Sequence, residues 1–146
     1  NHIRAAVADF TFTSKLVDGK FPDYNRVLPK GGNKVILGDC QALKQGFSRA
    51  SILSNEKYRG VRVVLTNGEL RIFANNPEQE EAEEVVAVDY QGDELEMGFN
   101  VSYLIDVLST LRSRQAKITL LDANNSALIE SGDESNAMYV VMPMRL

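Results

Sequence analysis

Between residues 61 and 74 the apolar side chains fall on every second position: Val61, Val63 and Leu65, then, beyond Asn67-Gly68, Leu70, Ile72 and Ala74. A period of two sends successive side chains to opposite faces, so the stretch predicts half-buried strands at 61–65 and 70–74 joined by a type I′ hairpin. Upstream the period lengthens. Leu43, Phe47 and Ala50 stand at i, i+4 and i+7, with Lys44, Gln45, Ser48 and Arg49 on other faces, which predicts a helix over 40–53 capped by Asp39. Gly46 costs this helix about 1 kcal/mol against Ala and permits a close backbone approach. Downstream, Val101, Leu104, Ile105, Leu108 and Leu111 predict a second helix over 101–111, capped by Asn100.

These elements sit in two similar units. The first reads strand 35–39, helix 40–53, strands 61–65 and 70–74, an acidic loop, and strand 84–90; the second reads strand 95–99, helix 101–111, and strands 116–121, 126–131 and 138–144. Each is β-α-β-β-β. Gly38 and Gly98, at the two strand-to-helix junctions, are 60 residues apart, and the closing strands are offset by about 55, which suits a duplicated unit without proving common origin. The predicted class is α+β, with two helices packed on antiparallel sheets. Before the units, residues 3–9 and 10–17 read as two strands closed by Asp18-Gly19. Pro22, Pro29, Gly31 and Gly32 then break any long helix or strand, which places a domain boundary near 28–33. Asn1 is not an initiator residue, so the expectation is the C-terminal piece of a longer chain.

Composition narrows the classes. The 146 residues, 44% apolar and 25% charged, suit one soluble globular domain with a remnant of a neighbour. No apolar run approaches the roughly 18 residues that would cross a bilayer, and no signal peptide is visible, so a cytoplasmic location is expected. Cys40 and His2 are each the sole residue of their kind, too few for an internal disulfide or a zinc site. The net charge is −4, and it becomes +1 without the five glutamates 78, 80, 81, 83 and 84. Charge alone therefore argues against a tight nucleic-acid binder.

Phosphate-loop, dinucleotide, zinc-protease, dithiol and nucleophile-elbow patterns are all absent. His2 reads as a structural or surface residue in an end strand, and Cys40 as a small core residue whose thiolate Asp39 disfavours. The glutamate run is either a solvated loop or an electrostatic docking edge for a basic surface. The C-terminal AMYVVMPMRL is apolar to its end. Pro143 cannot extend a ladder, and the flexible Met142 and Met144 suit either a terminal strand buried in its own core or a promiscuous peptide groove.

The strings FTSKLVDGKFPDYNRVLPK, ILSNEKYRGVR, NNPEQEEAEE, GFNVSYLIDVL and YVVMPMRL carry a resemblance that spans the whole chain. They resemble the C-terminal third, and a little more, of bacterial DNA polymerase III β sliding clamps. The resemblance implies the DNA clamp fold, with residues 1–27 ending a middle domain, 28–32 a linker, and 33–146 the third domain. It implies a non-catalytic processivity factor without metal or cofactor, a homodimeric ring around duplex DNA that tethers the polymerase III catalytic subunit, the clamp loader, and other polymerases and repair proteins. Encirclement replaces tight phosphate contacts, so a negative net charge is compatible with that role.

The same resemblance implies site residues. A groove for partner peptides bearing a Gln and apolar anchors maps to Pro22, Arg26, Val27, Tyr58, Asn100, Tyr103, Ser126, Val140, Val141, Met142, Pro143, Met144, Arg145 and Leu146, with Asn124 departing from an expected apolar rim residue. Ring closure maps to Ile52, Leu53, Glu78, Glu80, Glu81 and Glu83. Lys44, Arg49, Arg112 and Arg114 are channel candidates that can equally be outward solvated charges. Two other classes stay open: a stand-alone peptide-binding module, and a metal-dependent nucleic-acid enzyme built on the acidic run.

Overall fold

The computed structural model describes residues 1–133 and 137–145. The chain opens with an isolated antiparallel hairpin, β1 (His2–Val7) and β2 (Phe10–Lys15), followed by a single helical turn, α1 (Tyr24–Val27), which the sequence reading did not foresee. Asp23 caps that turn by accepting from the Asn25 N–H. Cross-strand pairing puts Ile3, Ala5, Val7, Phe10 and Phe12 on one hairpin face. The large side chains among them are exposed, so the hairpin has no core of its own.

The first unit comprises β3 (Lys34–Asp39), α2 (Cys40–Ser51), β4 (Gly60–Thr66), β5 (Glu69–Asn75) and β6 (Glu81–Ala87). The second comprises β7 (Leu95–Asn100), α3 (Val101–Thr110), β8 (Gln115–Leu120), β9 (Ala127–Ser131) and β10 (Met138–Val141). The units are not self-contained, contrary to the simplest reading of the repeat. The two four-stranded sheets run β10-β9-β8-β3 and β6-β5-β4-β7, so each unit gives its first strand to the other's sheet. No loop separates Asp39 from Cys40 or Asn100 from Val101. A helix of 12 residues, about 18 Å long, therefore carries the chain straight from one sheet to the other.

The helices pack on each other, α2 also against β3, β5 and β6, and α3 against β7 and β10. Leu43, Phe47 and Ala50 are buried as the helical period requires, as are Val101, Leu104 and Leu108. Gly46 is the close contact: a methyl group there would meet Val86 Cγ2 at 2.7 Å.

Several boundaries differ from expectation. The first helix ends at Ser51, because the serine hydroxyls take the last carbonyls: Ser51 Oγ donates to Ser48 O at 2.7 Å and Ser54 Oγ to Ser51 O at 2.8 Å. Leu111 is the C-cap of α3. In the Asn67-Gly68 hairpin only Gly68 has positive φ, at 77°, which excludes type I′; the Asn67 side chain instead accepts the Gly92 N–H at 2.9 Å. The acidic stretch is not a loose loop. Asn76 and Glu80 close a tight turn through Gln79 at φ 65°, and β6 already begins at Glu81. The last strand stops at Val141, two residues before Pro143.

Candidate partner-binding and assembly surfaces

Both units end by crossing to the other sheet. In the first, Asp89 bridges β3 at Leu37; with offsets of 61 and 55 residues, Met144 bridges β7 at Gly98 in the second. The helix starts repeat the relation, Cys40 N–H donating to Arg114 O and Val101 N–H to Arg59 O, both at 2.8 Å.

The two crossings are finished differently. Asp89 and Leu37 exchange two backbone bonds of 2.7 and 3.0 Å, Val88 N–H donates to Gly68 O, and Gly68 N–H donates to Tyr90 O, both at 3.0 Å. Tyr90 is 4% exposed and its hydroxyl donates to Asp93 O at 2.7 Å. Burial pushes the Tyr90 hydroxyl above its ordinary pKa. At the second crossing Met144 N–H donates to Gly98 O at 2.7 Å. Pro143 occupies the place of Val88 and has no N–H to offer the β8–β9 loop. That loop satisfies itself: the Asp122 carboxylate accepts from the Asn125 side-chain amide and from the Asn124 and Asn125 N–H groups, which holds it below the usual carboxylate range. The result is an open junction with Met142 72% exposed.

Several of the expected groove residues lie on the elements that meet at this junction, while Pro22, Arg26 and Val27 lie apart on and before α1. Ser126 and Met142 flank the last β9–β10 pair, Ala127 with Val141. Val140 lies on the outward face beside Leu128 and is half-buried, whereas Val141 points into the core at 4% exposure and offers no accessible side chain. Tyr103 is exposed in the first turn of α3, and Asn100, the cap of that helix, donates from its amide to Tyr58 O at 3.4 Å. Pro22 precedes α1, and Arg26 and Val27 lie on it, all exposed. Asn124 is exposed in the β8–β9 loop, and Leu146 lies outside the described residues.

Tyr58, Met144 and Arg145 also line a cleft of about 910 Å³ that opens over the outward face of the β6-β5-β4-β7 sheet. Its floor includes Gly60, Arg62, Phe73 and Asn75, none of which the sequence reading selected. Phe73 was the available signal, a large aromatic out of phase with the buried Leu70, Ile72 and Ala74.

The acidic run borders this same cleft, which Glu81 and Glu83 line. β6 is an edge strand whose alternation turns Glu81 and Glu83 outward and Glu84 toward α2. Glu84 receives two bonds of 2.8 Å from Arg49, which hold its carboxyl below the usual range, and Glu83 is bonded by Arg71. Glu80 is tied to Asn76, and Glu78 is exposed in the same turn. Ile52 is 77% exposed and Leu53 half-buried, both in the turn that follows α2. Of the channel candidates, Lys44 is half-buried on α2 and Arg49 is neutralised by Glu84. Arg112 and Arg114 are exposed after α3, Arg114 standing 3.7 Å from Asp39.

Among the described residues no three metal-ligating side chains cluster, and no helix is long and apolar enough to cross a membrane. His2 is exposed on β1, and Cys40 is buried, its thiol pushed above the ordinary pKa by that burial.

Comparison with known proteins agrees with this architecture. The family described as DNA polymerase III beta subunit, C-terminal domain, matches residues 25–145. The chain is 62% identical over all its 146 residues to the beta sliding clamp of Pseudomonas putida, and 64% identical to that of Proteus mirabilis. It spans about 40% of the length of these curated relatives. The crystal structure of the DNA polymerase III subunit beta from Pseudomonas aeruginosa superposes with a TM-score of 0.89 at 63% identity, over 99% of this chain and 40% of that one. A Bartonella birtlesii sliding clamp bound to griselimycin superposes with a TM-score of 0.87 at 38% identity, over 99% of this chain and 39% of its own.

Proposed function

The chain belongs to the DNA polymerase III beta-subunit family, as its C-terminal domain, and from this premise we propose that it is the partner-binding part of a cytoplasmic sliding clamp. In this reading residues 1–27 end a middle domain, 28–32 link, and 33–146 form the third domain of a subunit that closes head to tail into a homodimeric ring on duplex DNA. The role is non-catalytic: it keeps polymerase III and other replication and repair proteins on the template.

The observation that carries the reading is the open second junction. Tyr58, Asn100, Tyr103, Ser126, Val140, Met142 and Met144 lie on the elements of a crossing whose counterpart in the first unit ends on the buried Tyr90. Apolar walls there grip a partner's side chains, while the Asn100 amide and the Ser126 hydroxyl orient them. Ring closure is supported by the unpaired β6 edge, whose outward glutamates steer a basic partner edge, with Ile52 and Leu53 beside it as apolar contacts. The channel role rests on Lys44, Arg112 and Arg114, since Arg49 is held by two short bonds to Glu84 whereas Arg114 stands only loosely, at 3.7 Å, by Asp39.

The test is Met142→Ala in a full-length subunit, with binding of a fluorescent peptide bearing a Gln and apolar anchors read by anisotropy. An affinity loss of about tenfold, with unchanged circular dichroism, is expected from truncating a groove wall. Unchanged affinity removes the groove assignment.

A further inference from the structure

Between α2 and β4 the backbone takes an uncommon conformation. Arg59 has a φ of 51°, in the left-handed region that an arginine rarely adopts and that its surroundings must hold in place. The residue is half-buried, yet among the described residues its guanidinium meets no carboxylate. It bonds instead to two uncharged acceptors on different helices: Nη1 donates to the Ser51 carbonyl at the end of α2, at 3.2 Å, and Nε to Ser102 Oγ in the first turn of α3, at 3.4 Å. A cation suits a helix C-terminus, and the flat fork lets one side chain reach both helices.

The second unit offers a control. Arg114, 55 residues on, holds the equivalent place, since its carbonyl accepts the Cys40 N–H as that of Arg59 accepts the Val101 N–H. Its side chain is nevertheless 93% exposed, and its φ is not positive. The bridge is therefore no requirement of the repeated fold, and it belongs to the one of the two turns that carries a groove residue.

That residue is Tyr58. Its N–H donates to Asn55 Oδ1 at 3.0 Å, its carbonyl accepts from the Asn100 amide at 3.4 Å, and the Arg59 N–H donates to Asn55 O at 2.8 Å. The ring is 58% exposed, and its one polar neighbour among the described residues is the Lys57 ammonium, 5.3 Å from the ring centre. The backbone of the turn thus sets the aim of the ring, and Arg59 ties that backbone to both helices.

We propose that Arg59 is a positioning residue for partner binding: by bridging Ser51 and Ser102 it holds Tyr58 and the Asn100 amide in place before a peptide arrives, so that binding does not have to order them. The inference rests on the groove reading, and Arg59 acts through Tyr58 rather than by contact with the partner.

The test uses a full-length subunit and the fluorescent peptide bearing a Gln and apolar anchors. Affinity should fall about threefold in Arg59→Lys, which keeps the charge but loses the fork, and about fivefold in Arg59→Gly, where glycine takes the left-handed backbone without strain. In a Tyr58→Ala background Arg59→Gly should cause no further loss, an outcome that general destabilisation does not give. Hydrogen exchange across residues 55–59 of the peptide-free Arg59→Gly subunit should quicken about threefold. Unchanged affinity in Arg59→Gly, an equal loss with and without Tyr58, or unchanged exchange overturns the proposal. Met142→Ala separates the two readings: when it weakens the peptide and Arg59→Gly does not, only the positioning role has failed, and when neither does, the groove reading has failed with it.

Discussion

The two crossings are built on one plan and end in opposite states. At the first, Val88, Asp89 and Tyr90 are latched to β3 and to the Gly68 turn by four backbone bonds, and the Tyr90 side chain is buried with its hydroxyl bonded to Asp93 O. At the second, Pro143 removes the donor that Val88 uses, the self-satisfied Asp122 loop offers no latch, and the tail is pinned through Met144 to Gly98. The lesson is that a duplicated fold can close a crossing in one copy and leave the equivalent crossing open in the other, and it is the open one that we propose as the groove. The sheet edges diverge in parallel: β6 carries outward glutamates, and β10 carries Met138 and Val140 on the corresponding face.

The sharpest way to break this contrast is at equivalent positions. Tyr90→Ala should cost about 3–5 kcal/mol in denaturant unfolding, as for emptying a buried aromatic site. Arg145→Ala, 55 residues on and exposed, should stay within about 0.5 kcal/mol. Equal costs would mean that the second crossing is as filled as the first. The helices make a second pair. Gly46→Val drives a side chain into Val86 and should cost about 1–3 kcal/mol by overpacking. Its counterpart Val107, half-buried in α3, should tolerate Ala with a smaller loss.

Hydrogen exchange reads the latches directly. The Asp89 amide should exchange at least about tenfold more slowly than the Met144 amide, because the first crossing opens only with its surrounding sheet. Comparable rates would show a tail as firmly held as the latch. The smallest effect is electrostatic. Glu84 has a folded pKa lowered chiefly by the Arg49 hydrogen bonds, so its contribution is present at neutral pH and is lost as pH falls through and below the ordinary glutamate range near ~4.3. Glu84→Gln should lower the melting temperature slightly at pH 7, and the difference should shrink steadily as the pH is lowered below the ordinary glutamate range; a difference that stays constant with pH would remove the ion pair as the cause.

Much of this was legible in residue order. The alternation of Val61, Val63 and Leu65 with Leu70, Ile72 and Ala74, the helical stripe of Leu43, Phe47 and Ala50, and both Asp39 and Asn100 caps appear in the structure where the periods put them. The ends were less legible, because serine hydroxyls stop α2 early and an Asn76–Glu80 turn starts β6 early, and neither contact has a periodic signature. For the groove, the apolar tail was visible, but the burial of Val141 and the exposure of Met142 depend on which face of β10 meets β9.

Sequence by itself determined the two repeats, the class of fold and the family likeness, because periodicity, capping and motif are local properties of the chain. Only the tertiary structure decided that the units exchange their first strands and that one crossing is closed and the other open. Those outcomes depend on strand order and on contacts between residues tens of positions apart, which no local pattern encodes.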